Sequence, residues 1–447
     1  MGETQRIAQC SQSDFLTSSA ENSIIFRVPK VICSYFRKGR EIYLLQLNNS
    51  ILRQPSFVKF WFSRILASTS FQMLSVAIGW QMYDLTHDAF SLGLVGLAQF
   101  IPMVVLTLVV GQVADRFDRR KIVFWCLLIE GMMAGLLLYG NHAGWLGREQ
   151  ILLAAAIIGA CRAFEGPASS ALLPQLVHKK ILPQAISLST TAGQTAQILG
   201  PSLGGVLFSL GPAFVYGTAT VALLAAAILT YLITGMEQAI RRAEPVSISS
   251  ILSGLVFVYR NPVILGTISL DLFAVLLGGA TALLPIFSQD ILHTGPWGLG
   301  LMRTAPAVGA LIVSIILGYF PLKKAYGLTL FGALAIFGLS TMLFAISTNL
   351  IVSLVALFLI GGSDVISVVI RSSLVQLQTP DEMRGRVNAV NALFIGTSNQ
   401  LGEFESGTLA GFLGAVPAAF IGGLGTVLVA GLWMYLFPSI RKLRSLS

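Results

Sequence analysis

Charge is scarce: 11% of the 447 residues are Asp, Glu, Lys or Arg, against 55% that are hydrophobic. Soluble domains carry roughly 25% charged residues. A chain with so little charge cannot both hide its apolar side chains and cover a soluble surface. Histidine is scarcer still, four in all, with no metal-ligand spacing. The four cysteines (Cys10, Cys33, Cys126 and Cys161) have no paired spacing. Neither a disulfide framework nor a zinc site is indicated, and no metal or organic cofactor is expected. H-E-x-x-H and G-x-x-x-x-G-K are absent, which argues against zinc-peptidase chemistry and against ATP as a driving force. No enzyme activity is expected. The first twenty residues hold no apolar h-region, so no signal peptide is expected.

What is present is a long alternation of apolar runs and short basic loops, with a mean hydropathy of +0.78. Runs of about 20 residues, enough to span a ~30 Å hydrocarbon core, fall near 57–83, 91–114, 122–140, 151–173, 184–209, 212–234, 261–288, 297–320, 326–346, 349–370, 387–411 and 415–437. This predicts an all-α polytopic membrane protein of twelve helices in two six-helix halves. Basic residues follow the even-numbered segments: Arg116, Arg119, Arg120, Lys121, then Lys179 and Lys180, Arg241 and Arg242, Lys323 and Lys324, Arg384 and Arg386. Loops on the other side carry only Arg148. The asymmetry predicts that the basic side and both termini are cytoplasmic. The net charge of +9 is thus a topology signal; no aromatic-interleaved basic face points to nucleic acid.

Weak internal repetition supports two halves. Gly93 to Pro102 resembles Gly298 to Pro306, and Leu172 to Val177 resembles Leu374 to Gln378, as in parallel repeats. The organisation expected is a cytoplasmic extension (1–55), a first half (56–234), a cytoplasmic linker (235–259), a second half (260–438) and a basic tail (439–447).

Three motifs carry a resemblance. Gly111, Asp115, Arg116, Asp118, Arg119, Arg120 and Lys121 follow the second segment. Acid and arginines at a membrane boundary can form an ion-pair latch between helix ends. Here the chain resembles the major facilitator superfamily, with Asp118 where a glycine is usual. Arg162-Ala163-Phe164-Glu165-Gly166 is similar to the family pattern associated with proton coupling. Gly200-Pro201-Ser202-Leu203-Gly204-Gly205 is similar to the one associated with antiporters; glycine and proline there permit a bend and a close helix approach. Leu270 to Ala274, Gly278-Gly279-Ala280, Leu284-Pro285, Arg384-Gly385-Arg386-Val387 and Glu403 to Gly407 resemble the enterobactin-exporter-like group (transmembrane secretion effectors and drug–proton antiporters). The resemblance covers about 56–438 and implies proton-driven efflux of a siderophore or an amphiphilic drug through the inner membrane. Import, or a receptor that keeps the fold, are the alternatives. It implies a small-molecule substrate, a lipid bilayer and no nucleic acid; periplasmic or outer-membrane efflux components are further candidates, and a monomer is expected.

Charges inside the membrane each need a reason, because insertion at the bilayer centre costs at least ~2.5–3.5 kcal/mol. Asp271 lies about ten residues into the seventh segment, roughly 15 Å deep. In the family's architecture segments one, four, seven and ten line the cavity, so Arg162, Glu165, Asp271 and Asp364 are placed there. Burial favours a neutral carboxyl group and a nearby cation an ionised one. Asp271 is therefore expected to be the protonatable residue, switched by Arg162; a fixed structural pair is the alternative. Gln194, Gln197 and Phe273 are further cavity candidates, and Trp80, Phe100 and Phe287 possible aromatic walls. Glu130 and the pair Glu403/Arg303 are expected to be structural.

Overall fold

The computed structural model describes residues 51 and 53–178, 181–234, 248–320 and 325–443. Residues 1–50 and 52 of the expected extension, most of the expected linker, and Lys179, Lys180, Arg241, Arg242, Lys323 and Lys324 lie outside the described residues. Among the described residues there is helix and no strand. Twelve long helices succeed one another: α1 (Pro55–Thr86), α2 (Ala89–Arg116), α3 (Arg119–His142), α4 (Arg148–Leu176), α5 (Leu182–Ser209), α6 (Pro212–Tyr231), α7 (Pro262–Leu277), α8 (Gly295–Tyr319), α9 (Tyr326–Ile346), α10 (Leu350–Gln378), α11 (Asp381–Leu413) and α12 (Ala415–Leu436). A linker helix, Ile248–Arg260, precedes α7 where a polar connection was expected. The α7 path continues past Leu277 through a 3-10 turn, Ala280–Leu283, and a π turn, Phe287–Ile291.

Local chemistry sets the helix ends. Asp88 caps α2 by accepting from the amides of Phe90 and Ser91, and Asp118 caps α3 by accepting from that of Arg120. Asn261 and Asn349 do the same for α7 and α10. Each such side chain satisfies amide donors that the helix leaves without partners. Prolines open α1, α6 and α7, where the missing N–H costs nothing.

Nine of these helices, among the described residues, are long and apolar enough to cross a membrane. The other three, α1, α5 and α11, were expected to read like the rest. They are long but interrupted by polar residues such as Gln72, Gln194, Gln197, Gln400 and Glu403. Such polarity suits helices whose sides face one another across an interior rather than lipid.

Packing repeats between halves. In the first, α1 lies against α5 and α6, α2 and α3 against α4, and α3 against α6. In the second, α7 lies against α11 and α12, α8 and α9 against α10, and α9 against α12. The halves join along two seams, α5 with α8 and α2 with α11. Glycine makes both seams possible. A Cβ on Gly300 would stand 3.1 Å from the Gly205 Cα, and one on Gly93 3.2 Å from the Gly407 Cα. Backbones approach that closely only where side chains are absent.

Candidate functional site

The seams close one end of the bundle, the end away from the basic loops. Gly93, Gly205, Gly300 and Gly407 all sit there, near the starts of α2 and α8 and the ends of α5 and α11. Tyr83 of α1 hydrogen-bonds Asp290 of the π turn across the halves. Ser202 of α5 bonds Thr304 of α8 at 2.8 Å, and Thr304 donates to the Ile198 carbonyl at 3.0 Å. Toward the basic loops the halves part. Among the described residues, neither α4 nor α5 makes more than passing contact with α10 or α11. Gly166, Pro167, Ser170 and Pro174 on α4 are exposed there, as are Val368, Val369, Ser372 and Gln376 on α10.

Two charged clusters sit inside the separate halves. In the first, Arg162 donates to Glu165 at 2.6 Å, and its guanidinium carbon lies 4.0 Å from the Phe71 ring centroid. Arg64 donates to Ser169 at 2.9 Å. Glu130 of α3 is 1% exposed, with one carboxyl oxygen unpartnered, and lies within electrostatic reach of Glu165 and Arg162. The second cluster centres on Arg371 of α10, which forms an ion pair with Asp271 and lies 3.9 Å from Asp364.

The expected Arg162–Asp271 pairing is therefore not formed. Each charge is satisfied within its own half, which spares the molecule from breaking a buried pair whenever the halves move. The tenth segment, expected to end near residue 370, runs on as α10 to Gln378, so Asp364 lies at the helix midpoint rather than six residues from its end. The same extension hid Arg371. The apolar run ends at Ile370, although Leu374, Val375 and Leu377 carry the helix on. Arg64, inside the first apolar run, carries the same signal as Arg162.

The clusters occupy equivalent positions with inverted charge. Arg64 follows Pro55 at the same interval as Asp271 follows Pro262; Arg162 and Asp364 are likewise matched from the starts of α4 and α10, and so are Ser169 and Arg371. Burial agrees, with Phe57, Phe60, Ser63 and Ala67 buried in α1 and Ile264, Thr267, Leu270 and Ala274 in α7.

The other expected residues divide. Phe273 is not at the cavity: it lies on the other side of α7 from Asp271, its ring 5.2 Å from Trp433 of α12. Phe287 packs on Phe344 at 4.5 Å and Trp80 against Phe208 at 6.5 Å, so both serve the core. Gln194 and Gln197 are exposed on α5, on the arc between the faces that meet α1 and α8. Gly200 and Gly204 let α5 press on Thr69, Gln72 and Met73 of α1, while Pro201 and Gly205 meet α8. Gly200 to Gly204 also fits G-x-S-x-G, letter by letter. That motif needs its serine on a strand-to-helix turn, whereas Ser202 lies inside a continuous helix and hydrogen-bonds Thr304.

The side chains of Asp115 and Arg116, and Gly111, lie outside the described residues. Two neighbours reach backbone carbonyls of the first half. Arg119 donates to the Ala171 carbonyl at 3.1 Å and Arg120 to the Ile233 carbonyl at 2.5 Å. Asp118 caps α3 and lies 3.9 Å from Arg120.

Between the halves, next to the closed end, lies a cavity of about 270 Å³. Its walls include Phe71, Gln72 and Ser75 of α1, Gln99 of α2, Arg303 of α8, and Gln400 and Glu403 of α11. Among the described residues no group of His, Cys, Asp and Glu is arranged to hold a metal ion.

Comparison with known proteins agrees with this architecture. The chain is 26% identical over 416 residues to the enterobactin exporter EntS of Citrobacter koseri, covering 91% of this chain and 97% of that one. It is 27% identical to the enterobactin exporter EntS of Salmonella typhimurium, covering 91% and 98%. Among solved structures, the nucleoside transporter NupG superposes with a TM-score of 0.68 at 16% identity, over 86% of this chain and 99% of that one. A bacterial homologue of the iron transporter ferroportin, in an inward-facing state, gives 0.67 at 16% identity over the same shares; both likenesses concern the fold. Residues 48–446 match the transmembrane secretion effector family. The chain belongs to that family of major facilitators, and it is a multi-pass membrane transporter rather than an enzyme.

Proposed function

We propose that the chain is a proton-coupled exporter of a siderophore or an amphiphilic drug-like small molecule, working by alternating access in the inner membrane. The observation that carries this reading is the asymmetry of the bundle, clamped along glycine seams at one end and parted at the other, with acidic groups held between. Two relatives named as enterobactin exporters support the direction and the substrate class. With the basic loops in the cytoplasm, the arrangement is inward-open, ready to load from inside. Asp271 and Asp364 exchange the proton, and Arg371, rather than Arg162, is the cation that competes with it for Asp271. Arg162 and Glu165 form the counterpart in the first half. Asp115 closes the cytoplasmic end once the halves rock. Each proton carried inward down the membrane potential contributes ~2.3 kcal/mol per 100 mV, enough for more than tenfold accumulation.

The test is substrate-induced proton movement in inside-out vesicles, followed with a pH-sensitive dye while catecholate siderophores and amphiphilic cations are added. Proton release from the lumen is expected with at least one compound, and Asp271→Asn is expected to abolish it. Accumulation that ignores an uncoupler would falsify proton coupling and return the Asp271–Arg371 pair to a structural role.

A further inference from the structure

The cavity between the halves holds two charges of opposite sign that do not pair with each other. Arg303 and Glu403 both line it and lie within electrostatic reach. No ion pair within 4.0 Å joins them; among the described residues such pairs involve Asp118, Glu165, Asp271 and Asp364 as acids. Leaving an arginine and a glutamate apart in a confined, membrane-embedded space is costly unless something else bridges them.

Each side chain is given room by a glycine on the opposite half. A Cβ on Gly79 of α1 would lie 3.4 Å from the Arg303 Nη2, and one on Gly96 of α2 would lie 2.9 Å from the Glu403 Oε2. Both charged groups of the second half thus reach into notches in the first. There Arg303 finds the Ser75 hydroxyl through Nη1, while its Nε has no partner. The Gln400 Oε1, on the same wall, is also unpartnered. Gln72 and Gln99 add amides from the first half. Donors left over on Arg303 and acceptors left over on Glu403 and Gln400 describe a ligand by its complement.

We propose that this cavity is the site for a zwitterionic head group, an oxyanion received by Arg303 and a protonated nitrogen received by Glu403 and Gln400. The proposal rests on the transport reading and narrows its substrate class. A simple anion satisfies Arg303 and leaves Glu403 facing like charge; a simple cation does the reverse. A molecule with both charges a few ångströms apart satisfies the two together. The volume suits a head group of amino-acid size, with the rest of a larger molecule extending toward the open end. Because the walls come from both halves, such a ligand is held while the closed end is clamped and let go when Gly79 and Gly96 move away from Arg303 and Glu403.

The test uses the full chain, purified and reconstituted in lipid nanodiscs. Three probes share one skeleton: phenylalanine (zwitterion), 3-phenylpropanoate (anion) and phenethylamine (cation), each titrated by calorimetry. Phenylalanine is expected to bind about tenfold more tightly than either. R303Q should reduce its advantage over phenethylamine to less than about twofold, and E403Q should do the same against 3-phenylpropanoate. R303K and E403D keep the charges; they should keep the preference and report on the site if the neutral variants fail to fold. Equal affinities for the three probes, no binding of phenylalanine to the folded protein, or a preference that survives both neutral substitutions overturns the assignment. The two readings fail separately. Vesicle proton release without zwitterion preference keeps export and removes this site, whereas preference without proton release keeps the site and removes coupled export.

Discussion

Arg371 has two acidic neighbours and they have one cation between them, so the three positions differ in what their loss leaves behind. Replacing Asp271 with Asn leaves Arg371 beside Asp364, 3.9 Å away. Replacing Arg371 with Leu leaves both carboxylates without their cation. Breaking a buried pair costs about 3–5 kcal/mol when one charge is stranded. Arg371→Leu is therefore expected to approach that range and Asp271→Asn to fall well below it, a difference measurable as melting temperatures in detergent. The double variant Asp271→Asn with Arg371→Gln should recover much of the stability that Arg371→Leu loses while staying inactive in proton release. Equal melting temperatures for the two single variants would mean that Asp271 and Asp364 do not share Arg371. Sequence made two of this trio visible. Asp271 and Asp364 interrupt apolar runs, and any such charge asks for a partner. Which partner it finds is a matter of helix neighbourhood, and Arg371 stood one residue past the end of its run. The Arg303–Glu403 relation is legible only as similar depth on two helices, because the glycine notches that admit them belong to the other half of the chain.

At the scale of elements, caps and seams make opposite demands. The Asp88 cap wants a charged side chain. Burial pushes its carboxyl up, but hydrogen bonds from Ser91 and from the amides of Phe90 and Ser91, with Arg148 nearby, outweigh this and hold it below the usual carboxylate range. A carboxyl group lowered in this way stabilises the fold above the unfolded-chain value of about 4 and loses that contribution as pH falls through its folded value. Asp88→Ala is expected to cost about 1 kcal/mol at neutral pH. The difference from the parent should shrink below about pH 4, read from melting curves at neutral and acid pH. The seams want no side chain at all. In Gly205→Val the new group meets the Pro296 carbonyl and the Gly300 backbone. Overpacking of this kind costs about 1–3 kcal/mol, borne only by the clamped arrangement, or a roughly 5- to 150-fold shift toward opening of that end. A cysteine introduced at Thr281, which lines the cavity, should then react faster with an impermeant maleimide from the side away from the basic loops. Unchanged labelling would mean that the α5–α8 seam does not control opening. The run of small residues in α5 was readable as a close-packing helix; that Gly200 and Gly204 serve α1 while Gly205 serves α8 follows from helix rotation.

For the whole molecule, the twelve helices and their grouping follow from runs of apolar residues whose spacing the bilayer sets. What those runs conceal is the polar character of α1, α5 and α11, the helices that fall short of a membrane span by composition. Their polarity is the imprint of an interior, and it marks the walls of the path more directly than any single motif does.

The inversion of charge between the halves reaches back to how such a chain comes to exist. Two identical halves, side by side as a homodimer or fused after duplication, would repeat Arg64 and Arg162 at the places now held by Asp271 and Asp364. Glu165 and Glu130 would be repeated with them, so both sides of the opening would carry the same cluster. The present halves are instead complementary, as two unlike subunits are. Neither can be replaced by a copy of the other without changing which charges that side presents, and a change of sign is answered within the same half, as Glu165 answers Arg162 and Arg371 answers Asp271.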